Sequence, residues 1–139
     1  MMSKKARLTF SIILILLLVM SFDCGCSSNN DKRNAKSGNY EQINQDEAKK
    51  IMDTHDDCII LDVRTHEEYD IEHIKNAICI PNETITNEQP YDLPNLEQVI
   101  LVYCRSGNRS KEAAQKLADM GYTNIKEFGG IETWKYDTE

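Results

Sequence analysis

Short, continuous apolar runs separated by segments of helical pattern constrain the fold of this chain more than any other sequence feature. The clearest runs cover residues 58–63, 77–80 and 99–103, and residues 125–128 are predicted to form a fourth core strand. Strands that are buried on both faces have this continuous apolar character, whereas half-exposed strands alternate apolar and polar residues. Because the intervening segments carry helical patterns, we expect an α/β fold: a central parallel sheet of about four to five strands with helices on both faces.

Helix signals lie between these runs. Asn44 and Thr65 are each followed three residues later by a glutamate, and this capping-box spacing predicts a helix start at both positions. A longer amphipathic pattern over residues 109–120 predicts a third helix. Residues 82–96 have only a weak apolar pattern and contain two prolines, so they are predicted to form a loop with at most one helical turn.

The first 25 residues have the composition of an export signal. Three basic residues near the start precede an apolar stretch over residues 8–22. Its uninterrupted part, residues 12–20, is shorter than the roughly 20 apolar residues that a membrane span needs. The segment is therefore predicted to be a signal peptide rather than a permanent membrane helix.

Cys26 lies directly after this segment and precedes a polar tract rich in serine and asparagine. A small residue before such a cysteine resembles the lipobox of bacterial lipoproteins, in which cleavage after Gly25 would leave a lipid on Cys26. This resemblance implies a signal peptide over residues 1–25, a flexible tether over residues 26–39 and a location on the outer face of the cell membrane. The two residues before Gly25 depart from the lipobox pattern. Secretion after ordinary cleavage and an uncleaved N-terminal anchor therefore stay open.

The charge of the chain restricts its partners. The net charge is −7, and it becomes −9 without the first 25 residues, because that segment carries three basic residues and one acidic residue. A domain this acidic exerts no long-range attraction on nucleic acid or on anionic lipid headgroups. We therefore expect no nucleic-acid partner, and an anionic ligand would need a local cationic site.

One candidate for such a site begins at Cys104, which ends a buried apolar run and precedes a glycine-containing turn into the third predicted helix. Backbone amides and the dipole at a helix N-terminus stabilise a thiolate. Arg105 and Arg109 add positive charge nearby. The sequence therefore predicts a lowered pKa for Cys104 and a loop that binds a small anion. Asp62 ends a neighbouring run and is predicted to brace this loop as a hydrogen-bond acceptor.

Several motifs, in order and with compatible spacing over residues 40–136, resemble a rhodanese homology domain. They are Leu61-Asp62-Val63-Arg64, Glu68-Tyr69, Glu72-His73-Ile74, Ala77-x-x-Ile80-Pro81, Cys104-Arg105-Ser106-Gly107-Asn108-Arg109-Ser110, Gly121-Tyr122 and Gly129-Gly130-x-x-x-Trp134. The resemblance assigns residues 40–139 to such a domain and implies a rhodanese-like fold.

The activity that this resemblance implies is sulfur transfer. Cys104 would accept a sulfane sulfur as a persulfide and pass it to a thiol or cyanide acceptor. The small sulfur-containing anion that donates the sulfur would bind the loop formed by Arg105, Ser106, Gly107, Asn108 and Arg109. The sequence leaves open an alternative, a persulfide carrier or sulfur-sensing module that depends on a protein donor or acceptor.

Loop length separates this family from phosphatases and arsenate reductases of similar architecture. Four residues separate Cys104 from Arg109, one fewer than in those enzymes, and Tyr103 stands where they have a histidine. The shorter loop suits a single sulfur atom better than a tetrahedral phosphoryl group.

The remaining cysteines and histidines carry no further site. Cys58 and Cys79 lie in apolar runs and are interpreted as buried thiols, although a disulfide between them stays open. The histidines and cysteines do not have the spacing of a zinc site, so we expect no metal and no cofactor.

Overall fold

The computed structural model describes residues 38–139, and the predicted signal peptide, the lipidation site at Cys26 and most of the tether lie outside them. Five strands and three helices follow one another along this part of the chain. In chain order they are β1 (Glu41–Gln42), α1 (Gln45–Thr54), β2 (Ile59–Asp62), α2 (His66–Ile71), β3 (Ile78–Cys79), β4 (Ile100–Cys104), α3 (Asn108–Asp119) and β5 (Ile125–Gly130). Short 3-10 turns at Asn82–Thr84 and Ile131–Thr133 complete the described elements.

The strands form one sheet in the order β1-β5-β4-β2-β3, and every neighbouring pair runs parallel. The predicted α/β class with a central parallel sheet is confirmed. β4 lies at the centre, with all five residues buried. The strongest apolar run of the sequence therefore occupies the position where both faces of a strand are covered.

Alternate residues of β4 point into two different cores. Ile100, Val102 and Cys104 pack with Ala113 and Leu117 of α3 on one face of the sheet. The other face carries a second cluster, which includes Leu101, Tyr103, Ala48 of α1 and Phe128 of β5. Helices thus cover both faces, and Cys104 faces α3.

Both predicted capping boxes are present. Asn44 and Thr65 each accept a hydrogen bond from the backbone N–H three residues on, and the glutamate at that position binds the cap residue's own N–H. The third helix begins differently, because Gly107 at its N-cap has no side chain to contribute. The exposed amides at the start of α3 are therefore available to another acceptor.

The predicted 82–96 loop is confirmed, with a single 3-10 turn at Asn82–Thr84. Within residues 38–139, no helix combines the length and the apolar character needed to cross a bilayer.

Candidate active site

Cys104 occupies the carboxyl end of the central strand and is 1% exposed. The backbone N–H of Gly107 donates to its Sγ at 3.1 Å. Its Sγ also lies 3.6 Å from Oγ of Ser110 in the first turn of α3. In parallel sheets, ligands bind beyond the carboxyl ends of the strands, and the helix that follows presents its N-terminus there. The sulfur of Cys104 lies at such a position.

Gly107 gives the loop its shape. Its φ of +103° lies in the left-handed region, which side chains with a Cβ adopt only with strain. This conformation turns the chain back toward the sulfur, and Asn108 then begins α3. The sequence-based expectation of a tight turn at Gly107 is confirmed.

The pKa of Cys104 lies below its ordinary value. Burial raises the pKa, but hydrogen bonding with the Ser110 side chain and with the backbone N–H groups of Ser110, Gly107 and Ser106 outweighs this effect. The direction agrees with the sequence-based prediction. The causes of the lowered pKa differ from the predicted ones. The Ser110 side chain and the backbone amides around the sulfur lower the pKa most, whereas the prediction relied in part on the two arginines.

Both arginines of the loop are paired with carboxylates. Arg109 makes a bidentate pair with Glu68 of α2, with N–O distances of 2.7 and 2.8 Å. Arg105 is more exposed and donates from Nε to Glu132 at 2.7 Å. A thiolate at Cys104 still contributes to raising the pKa of Arg109, so this guanidinium lies within electrostatic range of the sulfur.

The Arg109–Glu68 pair has a consequence for acid stability. The Arg109 guanidinium holds the pKa of Glu68 at about 2, below the ordinary 4.5. The stabilisation from a lowered carboxyl pKa is complete above the unfolded value and is lost as the pH falls through the folded value. Replacing Glu68 with glutamine should therefore lower the free energy of unfolding by about 1–2 kcal/mol near neutral pH, allowing for partial exposure.

Urea unfolding of the two proteins over a pH series measures this effect. The difference in the free energy of unfolding between wild type and Glu68→Gln should shrink as the pH falls from about 4.5 to 2, where the Glu68 carboxylate becomes protonated. Glu88→Gln, at an exposed loop position, is the matched control and should leave stability within about 0.5 kcal/mol of wild type. A Glu68→Gln difference that stays constant with pH would contradict the proposed origin of the stabilisation.

Asp62 forms a buried ion pair with Arg64. Its fully buried carboxylate accepts the backbone N–H of Arg64 at 2.9 Å and Nη2 of the same residue at 2.6 Å. The guanidinium in turn donates to the carbonyl of Glu72 at 2.6 Å. The Asp62 carboxylate thus anchors Arg64, which in turn holds the end of α2 through Glu72. That Asp62 also braces the Cys104 loop stays a prediction.

Two buried polar residues behind the sulfur were not singled out from the sequence. Oγ of Ser110 donates to Oε1 of Glu127 at 2.6 Å, and both residues are buried. The sequence does contain a signal for Glu127, because an acidic residue stands between Ile125 and Phe128 in a predicted core strand. A charge at such a position is costly unless it has hydrogen-bond partners.

An open groove borders the loop. Ile71, at the end of α2, is 85% exposed on its rim. The residues that line the groove are Arg64, Glu68, Ile71, Glu72, Arg105, Ile131 and Glu132.

Cys58, Cys79 and Cys104 are all free thiols in the structure. Burial raises the pKa of Cys79 to about 11, so its thiol is far less reactive at neutral pH than that of Cys104. Among residues 38–139, no three His, Cys, Asp or Glu side chains come together as the ligands of a metal ion would.

Comparison with known proteins agrees with this geometry. The rhodanese-like domain model matches residues 44–137. The thiosulfate sulfurtransferase PspE of Escherichia coli is 35% identical over 51% of this chain and 68% of its own length. The thiosulfate sulfurtransferase GlpE of Coxiella burnetii is 36% identical over 69% of this chain and 88% of its own length. A solved rhodanese from E. coli superposes with a TM-score of 0.54 and 32% identity, covering 58% of this chain and 95% of the other.

Proposed function

Because this chain belongs to the rhodanese-like domain family and is a sulfurtransferase, we propose that it moves a sulfane sulfur from a thiosulfate-like donor to a thiol or cyanide acceptor through a persulfide on Cys104. The observation that carries the proposal is the buried sulfur of Cys104 among hydrogen-bond donors from Ser106, Gly107 and Ser110, which together lower its pKa. A thiolate is the reactive form of cysteine in this chemistry.

The first half of the reaction loads the cysteine. The Cys104 thiolate attacks the outer sulfur of thiosulfate and forms a new S–S bond. The S–S bond of the donor breaks, and sulfite leaves with the bonding electron pair. The backbone N–H of Gly107, which donates to Sγ at 3.1 Å, and its neighbouring amides supply positive partial charge near the sulfur on which negative charge accumulates.

The second half of the reaction transfers the sulfur from Cys104 to the acceptor. An acceptor thiolate attacks the outer sulfur of the persulfide, and the Cys104 thiolate leaves. With cyanide as the acceptor, the product is thiocyanate. The donors that stabilise the Cys104 thiolate also make it a good leaving group, because they lower the pKa of the leaving thiol.

Mass spectrometry of the domain tests this scheme. After incubation with thiosulfate and removal of excess reagent, the protein should gain about 32 Da, one sulfur atom, located at Cys104 by peptide mapping. Adding cyanide or a small thiol should remove the mass and release thiocyanate or a persulfide. A protein that gains no mass and forms no product with either acceptor would contradict the proposal.

A second candidate is a persulfide carrier that exchanges sulfur with a protein partner and turns over poorly with small molecules. The open groove beside Arg105 favours it, because Ile71 and Ile131 lie there among charged side chains, a lining that suits contact with a protein surface. In that case the sulfur mass would still appear on Cys104, but turnover with small acceptors would be slow and would increase on adding the partner.

The location of this chemistry is also a proposal, and it rests on the sequence alone. We propose that residues 1–25 are removed and that a lipid on Cys26 holds the domain at the outer face of the cell membrane. Mass spectrometry of protein extracted from membranes should find an N-terminal Cys26 with acyl chains. A mature chain that begins elsewhere, or that retains residues 1–25, would support secretion or an uncleaved anchor instead.

A further inference from the structure

Glu127 is a buried carboxylate that the sulfur-transfer scheme above does not use. It lies in β5 with 3% exposure, directly behind the Cys104 loop. Its Oε1 accepts hydrogen bonds from Oγ of Ser110 at 2.6 Å and from the backbone N–H of Gly129 at 2.9 Å. Its Oε2 accepts from Nε2 of Gln42 at 3.2 Å. In all three contacts the carboxylate oxygens of Glu127 are the acceptors.

The hydrogen bonds have a fixed direction between Glu127 and the sulfur. Ser110 has one hydroxyl hydrogen, and it is donated to Glu127 at 2.6 Å. The lone pairs of the same oxygen are then free to accept the Cys104 thiol proton, and Sγ lies 3.6 Å away. A thiol, a hydroxyl and a carboxylate thus form a continuous chain along which a proton can move.

We propose that Glu127, acting through Ser110, takes up the thiol proton of Cys104 when the thiolate forms. The S–H bond of Cys104 breaks as its proton bonds to Oγ of Ser110, and the original hydroxyl proton of Ser110 bonds to Oε1 of Glu127. The products are a thiolate and a neutral carboxylic acid, and no other reactant is needed. In this state the Ser110 hydroxyl donates to the thiolate, and Glu127 donates to Ser110.

The same chain returns the proton at the end of the cycle. While Cys104 carries the persulfide, Glu127 holds the proton. When an acceptor thiolate or cyanide removes the outer sulfur, Cys104 leaves as a thiolate and recovers its proton from Glu127 through Ser110. This inference rests on the proposed sulfur-carrying role of Cys104. Glu127 is a positioning residue in this scheme, because it does not touch the sulfur.

The groups that face Glu127 leave it free for this role. Gln42 approaches from β1, Gly129 from its own strand and Ser110 from α3, and none of these three titrates in the relevant range. The charged side chain beside it in β5, Lys126, is engaged elsewhere, because it pairs with Glu41 of β1. From β4, the titrating group is Cys104 itself. Within residues 38–139, no cation forms an ion pair with Glu127.

The variant Glu127→Gln distinguishes this proton relay from a purely electrostatic effect of Glu127. The two predict opposite changes in the reactivity of Cys104 at low pH. A nearby negative charge by itself disfavours a thiolate, so its removal would make Cys104 more reactive at low pH. If Glu127 instead accepts the proton, the variant should alkylate Cys104 about tenfold more slowly at about pH 6, and the two proteins should converge above the thiol pKa. The measurement is the rate of iodoacetamide labelling at Cys104 by peptide mass spectrometry across pH.

Two further variants sharpen this measurement. Glu41→Gln removes a carboxylate from the neighbouring strand without touching the chain to Cys104, and it should follow the wild-type profile. In a Ser110→Ala background the connection is cut, so adding Glu127→Gln should cause no further slowing. Faster labelling of Glu127→Gln at low pH, or slowing by the same factor at every pH, would overturn the proposal.

If Glu127→Gln does not fold, infrared difference spectroscopy of the wild-type protein tests the proton relay instead. Formation of the persulfide should produce the C=O band of a protonated carboxylic acid, and removal of the sulfur by cyanide should abolish it. A persulfide without this band would overturn the relay. Labelling of Cys104 requires no sulfur donor, so its pH profile tests the relay even if thiosulfate adds no mass and the proposed sulfur chemistry fails.

Discussion

Replacing Cys104 with serine should reduce sulfite release from thiosulfate to the uncatalysed rate, a loss of at least about a thousandfold. Serine keeps the size and the hydrogen-bond partners of the side chain, so the loop should retain its shape. Its hydroxyl is not ionised near neutral pH and cannot carry the sulfur as a persulfide. The measurement is sulfite release in a single turnover, together with the mass of the protein after exposure to thiosulfate.

Cys58→Ser is the matched control. Cys58 is also a free thiol, but it packs on the other face of the sheet, and burial raises its pKa. This variant should keep full activity and gain one sulfur. Sulfur that still appears on Cys104→Ser, with turnover above background, would assign the carrier role to another residue. Loss of partner-dependent transfer alone, in a wild type that turns over poorly with small molecules, would favour the carrier alternative.

Gly130→Ala should reduce the activity of the folded protein about a hundredfold, because it displaces the Cys104 loop. Gly130 pairs with Cys104 in the sheet, at the point where the register between β4 and β5 shifts. A Cβ at this position would lie 2.1 Å from the carbonyl oxygen of Arg105 and 2.6 Å from Cα of Ser106. Both are backbone atoms, so the whole loop must move, and the hydrogen-bond donors around the sulfur move with it.

Gly121→Ala separates this effect from ordinary loss of stability. Gly121 follows α3 with a φ of +104°, so alanine there is strained, yet its Cβ would meet only Cδ1 of Leu96 at 3.9 Å, an ordinary contact. This control should cost about 1–2 kcal/mol of stability while the folded fraction keeps its activity. Steady-state rates corrected for the folded fraction, from urea unfolding of each variant, provide the comparison. Activity of Gly130→Ala equal to that of Gly121→Ala would contradict the close packing of the loop on β5.

The sequence alone was sufficient for features that neighbouring residues determine. Continuous apolar runs identified the buried strands, the Asn44 and Thr65 capping boxes identified two helix starts, and Gly107 identified the turn after Cys104. Each of these depends on backbone conformation or burial within a few residues. The position of Cys104 at the carboxyl edge of the sheet followed from the same local patterns, since parallel strands end at a common edge.

Only the tertiary structure determined the partners of the charged groups. Arg109 and Glu68 are 41 residues apart, and Arg105 and Glu132 are 27 apart, so their pairing depends on how α2 and the 3-10 turn after β5 pack beside the loop. Glu127 reaches Ser110 only because β5 lies next to β4, in the register that aligns Gly130 with Cys104. Strand order and register depend on burial summed over the whole core, which local periodicity does not encode. The sequence therefore predicted Cys104 as the reactive residue, and the packing of the sheet determined which polar and charged groups surround it.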